Sequence, residues 1–598
     1  MNGQTQNVPR VKSGRWQLNA STHEEMPQNG LAGLRHWQYD LIAGLQVALV
    51  GLPLALGVAM ASGAAPITGV ISAVIAGLVF PLLGGAYMTI SGPAAGLAPA
   101  LLAGMLTLGQ GDLAAGYPLV LVAICLTGAV QVLLSYYHVG RFAMYFPMSV
   151  LQGMLAAIGL LIIIKQIPLL LGDLTPPSKS IPESLLLMPE QFLNMKTKVF
   201  VVGVLALALL FGLNSNKVKK QRWAKNIPGP LLVVMLGGLA GWVLNYPADL
   251  MVHVPKDILA EGVHFPNFSA IWQGAELWLA LLTTVVTLTL IDGTETLATI
   301  AAIDRIDPFH RKSDPNVTLR TMGVSNMLSG LVGGLTIIPG GIKSTANIIA
   351  GGRTLWVNFY YAIFMGLFVW LGAELINSIP RTVLAALLIF IGWRLCALRV
   401  FMYMFSIGAE QILVATVCIG VTLYTSDILW GVVFGTVTKL LVLGVDLLRA
   451  LTFEQQSHSG SEQAFWPRVW AAFQELFRDP VIRIGDGRIP GSHAPVMSVA
   501  AKNMKHPYKI YLSSVSCMNL AKLDARLKTL PTTRDNFMII LAGHVVDHSA
   551  MDYLDQFRNH QIKSGHSCVI LGTQHFHAHS KHRLAYRVVH SDDALAYP

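Results

Sequence analysis

From about residue 40 to about residue 450 the chain is a succession of apolar runs, most of spanning length, divided by short polar breaks. The hydrocarbon core of a bilayer takes about 20 helical residues to cross. Inside it every backbone N–H and C=O must bond within the protein, so such a chain folds as a packed bundle of helices. Composition agrees: 12% of the 598 residues are charged and 53% are hydrophobic, where a soluble domain carries about 25% charged residues. The net charge of +10 does not argue for a nucleic-acid partner, because the excess Lys and Arg lie mainly in short loops between apolar runs. That distribution sets membrane orientation.

Reading the runs between breaks predicts about fourteen spans. The first seven lie near 40–63, 66–86, a shorter 93–108, 116–137, 147–172, 198–214 and 229–246. The second seven lie near 277–303, 319–337, a short 342–351, 354–376, 381–398, 409–425 and 428–450. Basic residues precede the first run (Arg10, Lys12, Arg15, Arg35) and follow the sixth (Lys217 to Lys225) and eighth (Asp304 to Lys312). Arg394 and Arg399 flank the end of the twelfth. With these loops cytoplasmic, both termini are cytoplasmic and the number of spans is even. The expected divisions are an N-terminal tail (1–37), a membrane unit (38–450), a linker with an amphipathic segment (451–504) and a small domain (505–598).

The polar start carries no visible cleavable signal peptide. Cys125, Cys396, Cys418, Cys517 and Cys568 are scattered without ligand spacing, so neither a disulfide framework nor a cysteine metal site is expected.

The stretch from Ala280 to Ala302 is apolar yet holds Asp292 and Glu295, with Thr294, Thr296 and Thr299 beside them. A charge at mid-membrane costs roughly 2.5 kcal/mol or more, which makes it a functional candidate. Positions 292, 295 and 299 fall at i, i+3 and i+7 and share one helical stripe. The plainer alternative is a helix end at the interface with wet acids.

Two interruptions, Ser91 to Gly96 (SGPAAG) and Thr336 to Asn347 (TIIPGGIKSTAN), open the short third and tenth runs at corresponding places in the two halves. Paired short segments point to a transporter site built from broken helices, whose N-termini would aim N–H groups at a central anion. The alternative is two ordinary loops. Lys343, at the start of the tenth run, would favour an anionic substrate if it stays inside and would mean little if it snorkels to the surface. Lys165, just before Pro168, is expected to snorkel.

After about residue 451 the composition becomes that of a soluble domain. WPRVWAAFQELF (Trp466 to Phe477) reads as an amphipathic helix on the membrane face. YKIYLSSV, FMIILAG and CVILGT read as strands alternating with two helices, a small α/β domain. HFHAHSKH (His575, His577, His579, His582) has the composition of metal-binding tracts, but a solvated tail is the plainer reading.

Several of these motifs, in order, resemble the sulfate permease (SulP) family: DLIAGLQVALVGLPLALGVAMASGAAPITGVISAVIAGLV, ISGPAAGLAPAL, TETL…IDRIDPF…RKSDPN and IPRTVLAALLIFIGWRL. HVVDHSAMDYLDQF is similar to the turn and helix of a STAS domain, which commonly ends these proteins. The resemblance runs from about residue 38 to the C-terminus. It implies two inverted seven-span repeats forming core and gate domains, a cytoplasmic STAS-like domain, a homodimer in the bacterial inner membrane, and elevator-like motion. It also implies an anion held between the third and tenth half-helices by Ala94, Gly340, Gly341 and Lys343. Lysine stands where arginine usually recurs, which keeps the charge but loses the planar fork. Leu54 stands where many relatives carry glutamine. Glu295 with Thr299 matches the sodium site or proton-coupling acid of bacterial symporters, and Asp292 would assist or line the approach. Asp547, His548 and Ser549 fall in the turn that carries a phosphorylatable serine in bacterial regulatory relatives. Ser549 is therefore a regulatory candidate, with a plain helix cap as the alternative.

The expected function is secondary active symport of bicarbonate or sulfate with Na⁺ or H⁺, with no resident cofactor and no enzymatic activity. The expected partners are the anion, the coupling ion, the lipid bilayer and a second copy of the chain. An anion moved against a negative-inside potential costs about 2.3 kcal/mol per charge per 100 mV, and a cation bound at Glu295 removes that penalty. A dicarboxylate transporter, an exchanger or channel of the same family, and a nucleobase permease are the transport alternatives. A fused carbonic anhydrase finds no ligand pattern in the short tail.

Overall fold

The structure is a computed structural model that describes residues 26–93, 95–138, 147–173, 180–215, 229–254, 265–269, 275–309, 311–396, 398–458, 465–485, 507–530, 536–563, 566–573 and 576–589. The tail to residue 25, Ala94, the basic cluster Lys217 to Lys225, the linker at 459–464 and His575 lie outside these residues.

Each predicted run lies on a helix. In the first half these are α1 (Trp37–Ala61), α2 (Pro66–Leu83), α3 (Ala98–Leu108), α4 (Leu113–Tyr136), α5 (Met148–Leu171), α7 (Thr197–Leu213) and α8 (Gly229–Val243). The second half has α9 (Ala275–Ile306), α10 (Pro315–Leu331), α11 (Gly341–Ala350), α12 (Trp356–Asn377), α13 (Arg381–Leu395), α15 (Ala409–Thr425) and α16 (Ile428–His458). Among the described residues eight helices are long and apolar enough to cross a membrane, or up to nine if a pair bent by 115° counts as one. That pair is α6 (Ile181–Leu193) with α7; α6 occupies a stretch read from sequence as a loop, and the Ser180 hydroxyl caps it by accepting the Glu183 N–H. A second unforeseen helix, α14 (Leu398–Ile407), joins α13 to α15. The α10 helix is rich in buried polar side chains, including Thr318, Thr321, Ser325, Asn326 and Ser329, because it packs against α4 and α2.

Contacts sort the helices into two groups. One comprises α1–α4 with α9–α12, the other α5, α7 and α8 with α13, α15 and α16. Each group draws on both halves of the chain, and exchanging the halves maps contacts onto one another. Thus α4 meets α10 as α12 meets α2, α1 meets α11 as α9 meets α3, and α5 meets α15 as α13 meets α7. Glycines make the closest crossings possible, since small residues let helix backbones approach in a membrane. A Cβ on Gly128 would lie 2.4 Å from the Gly323 carbonyl oxygen, and one on Gly323 2.6 Å from that of Gly128. Gly159 and Gly392 repeat the reciprocal contact where α5 crosses α13, at 2.5 and 2.6 Å.

Two three-residue strands join the halves: β1 (Ile90–Gly92) pairs antiparallel with β2 (Ile338–Gly340), setting Ile90 opposite Gly340 and Gly92 opposite Ile338. A 3-10 turn, Ala95–Leu97, leads into α3, while α11 starts directly after β2.

Beyond α17 (Phe465–Phe477), whose Trp466, Trp470 and Phe473 are exposed, comes an α/β unit. Its main sheet has the order β3 (Val481–Gly485), β4 (Tyr508–Leu512), β5 (Asn536–Leu541), β7 (Ser567–Leu571), with β4, β5 and β7 parallel. Helices α18 (Leu520–Lys528) and α19 (His548–Lys563) and the three strands at 508–571 match the sequence reading. The antiparallel β3 and a small sheet of β6 (Val545–Val546), β9 (Arg587–Val589) and β8 (Phe576–Ala578) do not appear in it. Leu443 and Leu447 of α16 share an apolar cluster with Cys517, Met518, Val545 and Tyr586, fastening this unit to the second helix group.

Candidate functional site

A short strand inside a helix bundle must find partners for its backbone, and β1 finds them on β2 and on polar side chains of the second half. The Ser344 hydroxyl accepts the Ile90 N–H at 2.9 Å. Asn358 accepts the Ser91 N–H at 2.9 Å and donates to the Thr89 carbonyl at 2.8 Å. Asn347 donates to the Met88 carbonyl at 2.9 Å. These bonds bring the openings of α3 and α11 to one place, where the orphan N–H groups of two helix N-termini carry partial positive charge.

Lys343 lies at that crossing. It is buried, 5% exposed, so the snorkelling alternative is excluded. Its Nζ is 3.5 Å from the Pro93 carbonyl oxygen and 5.9 Å from the Tyr361 ring centre. Among the described residues no carboxylate pairs with it. Gly92 makes room: with φ +153°, it would place a Cβ 2.7 Å from that Nζ. The amine therefore faces the turn between β1 and the opening of α3 with most of its hydrogen-bonding capacity unused.

Glu295 reaches the other side of the same turn. A Cβ on Gly96 would stand 2.2 Å from its Oε2, and that oxygen is buried without a hydrogen bond. Thr299, one turn along α9, is half-buried. Thr89, Ser91, Thr336 and Tyr361 also have buried hydroxyl oxygens without a hydrogen-bond partner. Native interiors leave few such groups, and their gathering along β1, the approach to β2 and α12 marks a place suited to a polar ligand.

The stripe expected of Asp292, Glu295 and Thr299 divides. Asp292 is fully buried and turns toward α4 and α10, where its Oδ2 accepts from Gln131 at 2.9 Å and from Asn326 at 3.0 Å. Asn326 also donates to Gln131 Oε1 at 2.9 Å and accepts the Ile337 N–H at 2.6 Å. Asp292 thus braces the approach to β2. This arrangement keeps Asp292 out of water, against the wet-interface alternative for that acid, whereas Glu295 is only partly buried.

The structure brings Gly340, Gly341 and Lys343 to the crossing whose turn Glu295 also reaches, with Thr299 one helical turn farther along α9; Ala94 lies outside the described residues. Leu54 is buried, and Lys165 half-buried. Ser549 lies far from this crossing, buried at the junction with the C-terminal unit, its Oγ 3.4 Å from the Met148 N–H it accepts. The cap of α19 is Asp547, whose Oδ1 accepts the Ala550 N–H at 2.7 Å and whose Oδ2 accepts the Cys517 N–H at 2.9 Å. Among the described residues the histidine tract forms no metal-binding group; His579 instead lies 3.6 Å from Glu410. Arg311, counted above among the orientation-setting loop charges, is buried. It pairs with Asp307 at 2.9 Å and donates to the carbonyls of Pro27 and Arg353. The sequence reading missed Gln131, Asn326, Asn347, Asn358 and Tyr361. The desolvation argument applied to the acids would have found the amides, since a buried amide without a partner is also costly.

Residues 37–418 match the model of the sulfate permease family. YvdB of Bacillus subtilis, described as a sulfate transporter, is 25% identical over 429 residues, 71% of this chain and 76% of YvdB. The bicarbonate transporter BicA of Synechocystis is 25% identical over 360 residues, 60% of this chain and 61% of BicA. The fold resembles the transmembrane domain of a cyanobacterial BicA, with a TM-score of 0.58 at 23% identity over 68% of this chain and 98% of that one. It also resembles SLC26A9, with a TM-score of 0.62 at 16% identity over 90% and 84%. The chain belongs to the sulfate permease family.

Proposed function

We propose that this protein is a secondary active transporter of a small inorganic anion, bicarbonate or sulfate, across the bacterial inner membrane. The observation that carries the reading is the β1–β2 crossing, with the Lys343 amine on one side of the Gly92–Gly96 turn and the Glu295 carboxylate on the other. An anion would bind between the openings of α3 and α11, with Lys343, Gly340, Gly341 and Ala94 around it. Glu295 and Thr299 would take Na⁺ or H⁺. A buried amine and a buried carboxylate held apart leave each free for an ion of opposite sign, and binding both ions neutralises the site. Symport then removes the electrical cost of moving the anion alone. The names of the relatives, which include sulfate and bicarbonate transporters, support the substrate class.

The exchange symmetry of the helix contacts supports two inverted seven-span repeats, and the basic loops support cytoplasmic termini. The two helix groups are read as core and gate, moving past one another in an elevator cycle within a homodimer. The C-terminal unit is read as a STAS domain. Ser549 is its proposed regulatory contact, and phosphorylating it requires the junction with α5 to open.

The test is uptake of radiolabelled bicarbonate and sulfate into liposomes under imposed Na⁺ and pH gradients. Uptake that follows one gradient and is lost in Glu295→Gln is expected. Uptake indifferent to both gradients rejects symport, and gradient-driven uptake by Glu295→Gln rejects the role given to that residue.

A further inference from the structure

A cavity of about 240 Å³ lies where the C-terminal unit meets the second helix group, lined by residues of α5, α14, α15 and α19. At its end on α5 are Met148, Ser149 and Gln152; α14 contributes Arg399 and Tyr403, and α19 contributes His548. Three features make it a site and not a packing defect. First, α5 is a helix of 24 residues whose N-terminus opens onto the cavity, where the positive end of the helix dipole favours an anion; of its first N–H groups, Met148 donates to Ser549 and Val150 and Leu151 to Pro147, which leaves that of Ser149. Second, Ser149 is 2% exposed and its hydroxyl has no partner among the described residues, although it is a wall of the cavity. Third, the Arg399 side chain, which lines the cavity and has an exposed face, forms no ion pair among the described residues.

His548 adds a constraint. Its Nδ1 lies 2.8 Å from the Leu584 carbonyl, which can only accept, so Nδ1 carries the hydrogen and Nε2 is the remaining polar atom. In the neutral ring Nε2 accepts a hydrogen bond, and in the imidazolium it donates one. A phosphate-type oxyanion satisfies every one of these groups. It accepts from the guanidinium, the serine hydroxyl and the helix N-terminus, and when monoprotonated it donates to a neutral imidazole. Of the remaining lining, Val400, Met404 and Ile407 with Met148 are apolar and suit the glycerol or acyl portion of a phosphate ester, while the buried Gln411 has its amide turned to Glu410 Oε1 at 3.3 Å.

We infer that this junction is a binding site for a phosphate-type oxyanion, free or borne on a lipid headgroup, held by Ser149, Arg399 and His548 at the N-terminus of α5. Such a ligand touches both units at once, so its occupancy favours the docked position of the C-terminal unit against α5 and α14. The inference does not rest on the transported substrate or on the coupling ion.

The test uses the full-length protein and three variants: Arg399→Gln, Ser149→Ala, and Arg394→Gln as an exposed-arginine control outside the cavity. Native mass spectrometry reads retention of phosphatidylglycerol against phosphatidylcholine, and thermal melts read stabilisation by inorganic phosphate. Losing a charge-assisted bond should weaken binding about tenfold or more. If wild type and Arg394→Gln retain phosphatidylglycerol selectively and the other two do not, the site is upheld with lipid as the source. If phosphate stabilises wild type and Arg394→Gln but neither cavity variant, with no lipid preference, it is upheld with free anion. Retention and melting alike across all four proteins overturn the inference. Should Arg399→Gln fail to assemble, wild type against Ser149→Ala decides on the same criteria.

Discussion

Gly96→Ala addresses the proposed coupling site at Glu295 without removing either of its proposed ligands. The added methyl would stand 2.2 Å from Glu295 Oε2, 2.8 Å from Cδ and 2.9 Å from Oε1. Ordinary contact between heavy atoms begins near 3.5 Å, so the carboxylate must retreat by roughly 1 Å. The obstacle is the end of a flexible side chain, which keeps the cost to folding small. The cost to cation binding is larger. With a hard-cation contact of about 2.4 Å and an effective dielectric constant of about 20, drawing the charges 1 Å further apart loses about 2 kcal/mol. That corresponds to roughly a 30-fold rise in the cation concentration for half-maximal uptake. The assay is liposome uptake as a function of Na⁺, or of pH if the proton is the coupling ion, with monodispersity and melting temperature as folding controls. A folded variant whose cation dependence matches wild type would refute the placement of the coupling site at Glu295.

Replacing Lys343 by Gln should raise the half-saturating anion concentration about tenfold or more while the fold survives, because among the described residues the amine has no carboxylate partner to abandon. Competition uptake with unlabelled anion measures it, and an unchanged affinity would remove Lys343 from the site. Gly69→Ala behaves differently from Gly96→Ala: its methyl would lie 2.1 Å from the Ala55 backbone carbonyl, with no side chain able to yield. It should cost about 1–3 kcal/mol or more, read as a lower melting temperature or loss of the monodisperse protein; a wild-type melting curve would contradict the packing of α1 on α2. His579, outside the membrane spans, is raised above its ordinary value of 6.5 mainly by the Glu410 carboxylate 3.6 Å away. Its contribution to docking of the C-terminal unit is therefore complete below about pH 6.5 and lost as pH rises through the raised value. Hydrogen exchange near residues 576–587 should quicken over that window in wild type and stay level with pH in His579→Gln.

The sequence by itself determined the class of fold and the position of the helices in its apolar runs, though not of α6 and α14. Hydrocarbon demands long apolar helices with internally bonded backbones, and the runs at 40–450 obey it closely enough that each lies on a helix. It also flagged Glu295 and Lys343, because ionisable groups in apolar runs are costly wherever they end up. Pro and Gly at 91–96 and 336–347 marked the breaks, since neither continues a helix easily. Tertiary structure decided the rest. Helical spacing put Asp292 and Glu295 on one stripe, but partners from α4 and α10 claimed Asp292 while the bare backbone at Gly96 left room for Glu295. Spacing along one helix does not say which neighbour each residue meets. The β1–β2 pairing, the amides that hold it, and the burial of Arg311 and Ser549 depend on contacts between segments remote in sequence, such as the 267 positions separating Ser91 from Asn358. Local pattern reports what a residue costs to bury; only the assembled bundle decides what it is buried against.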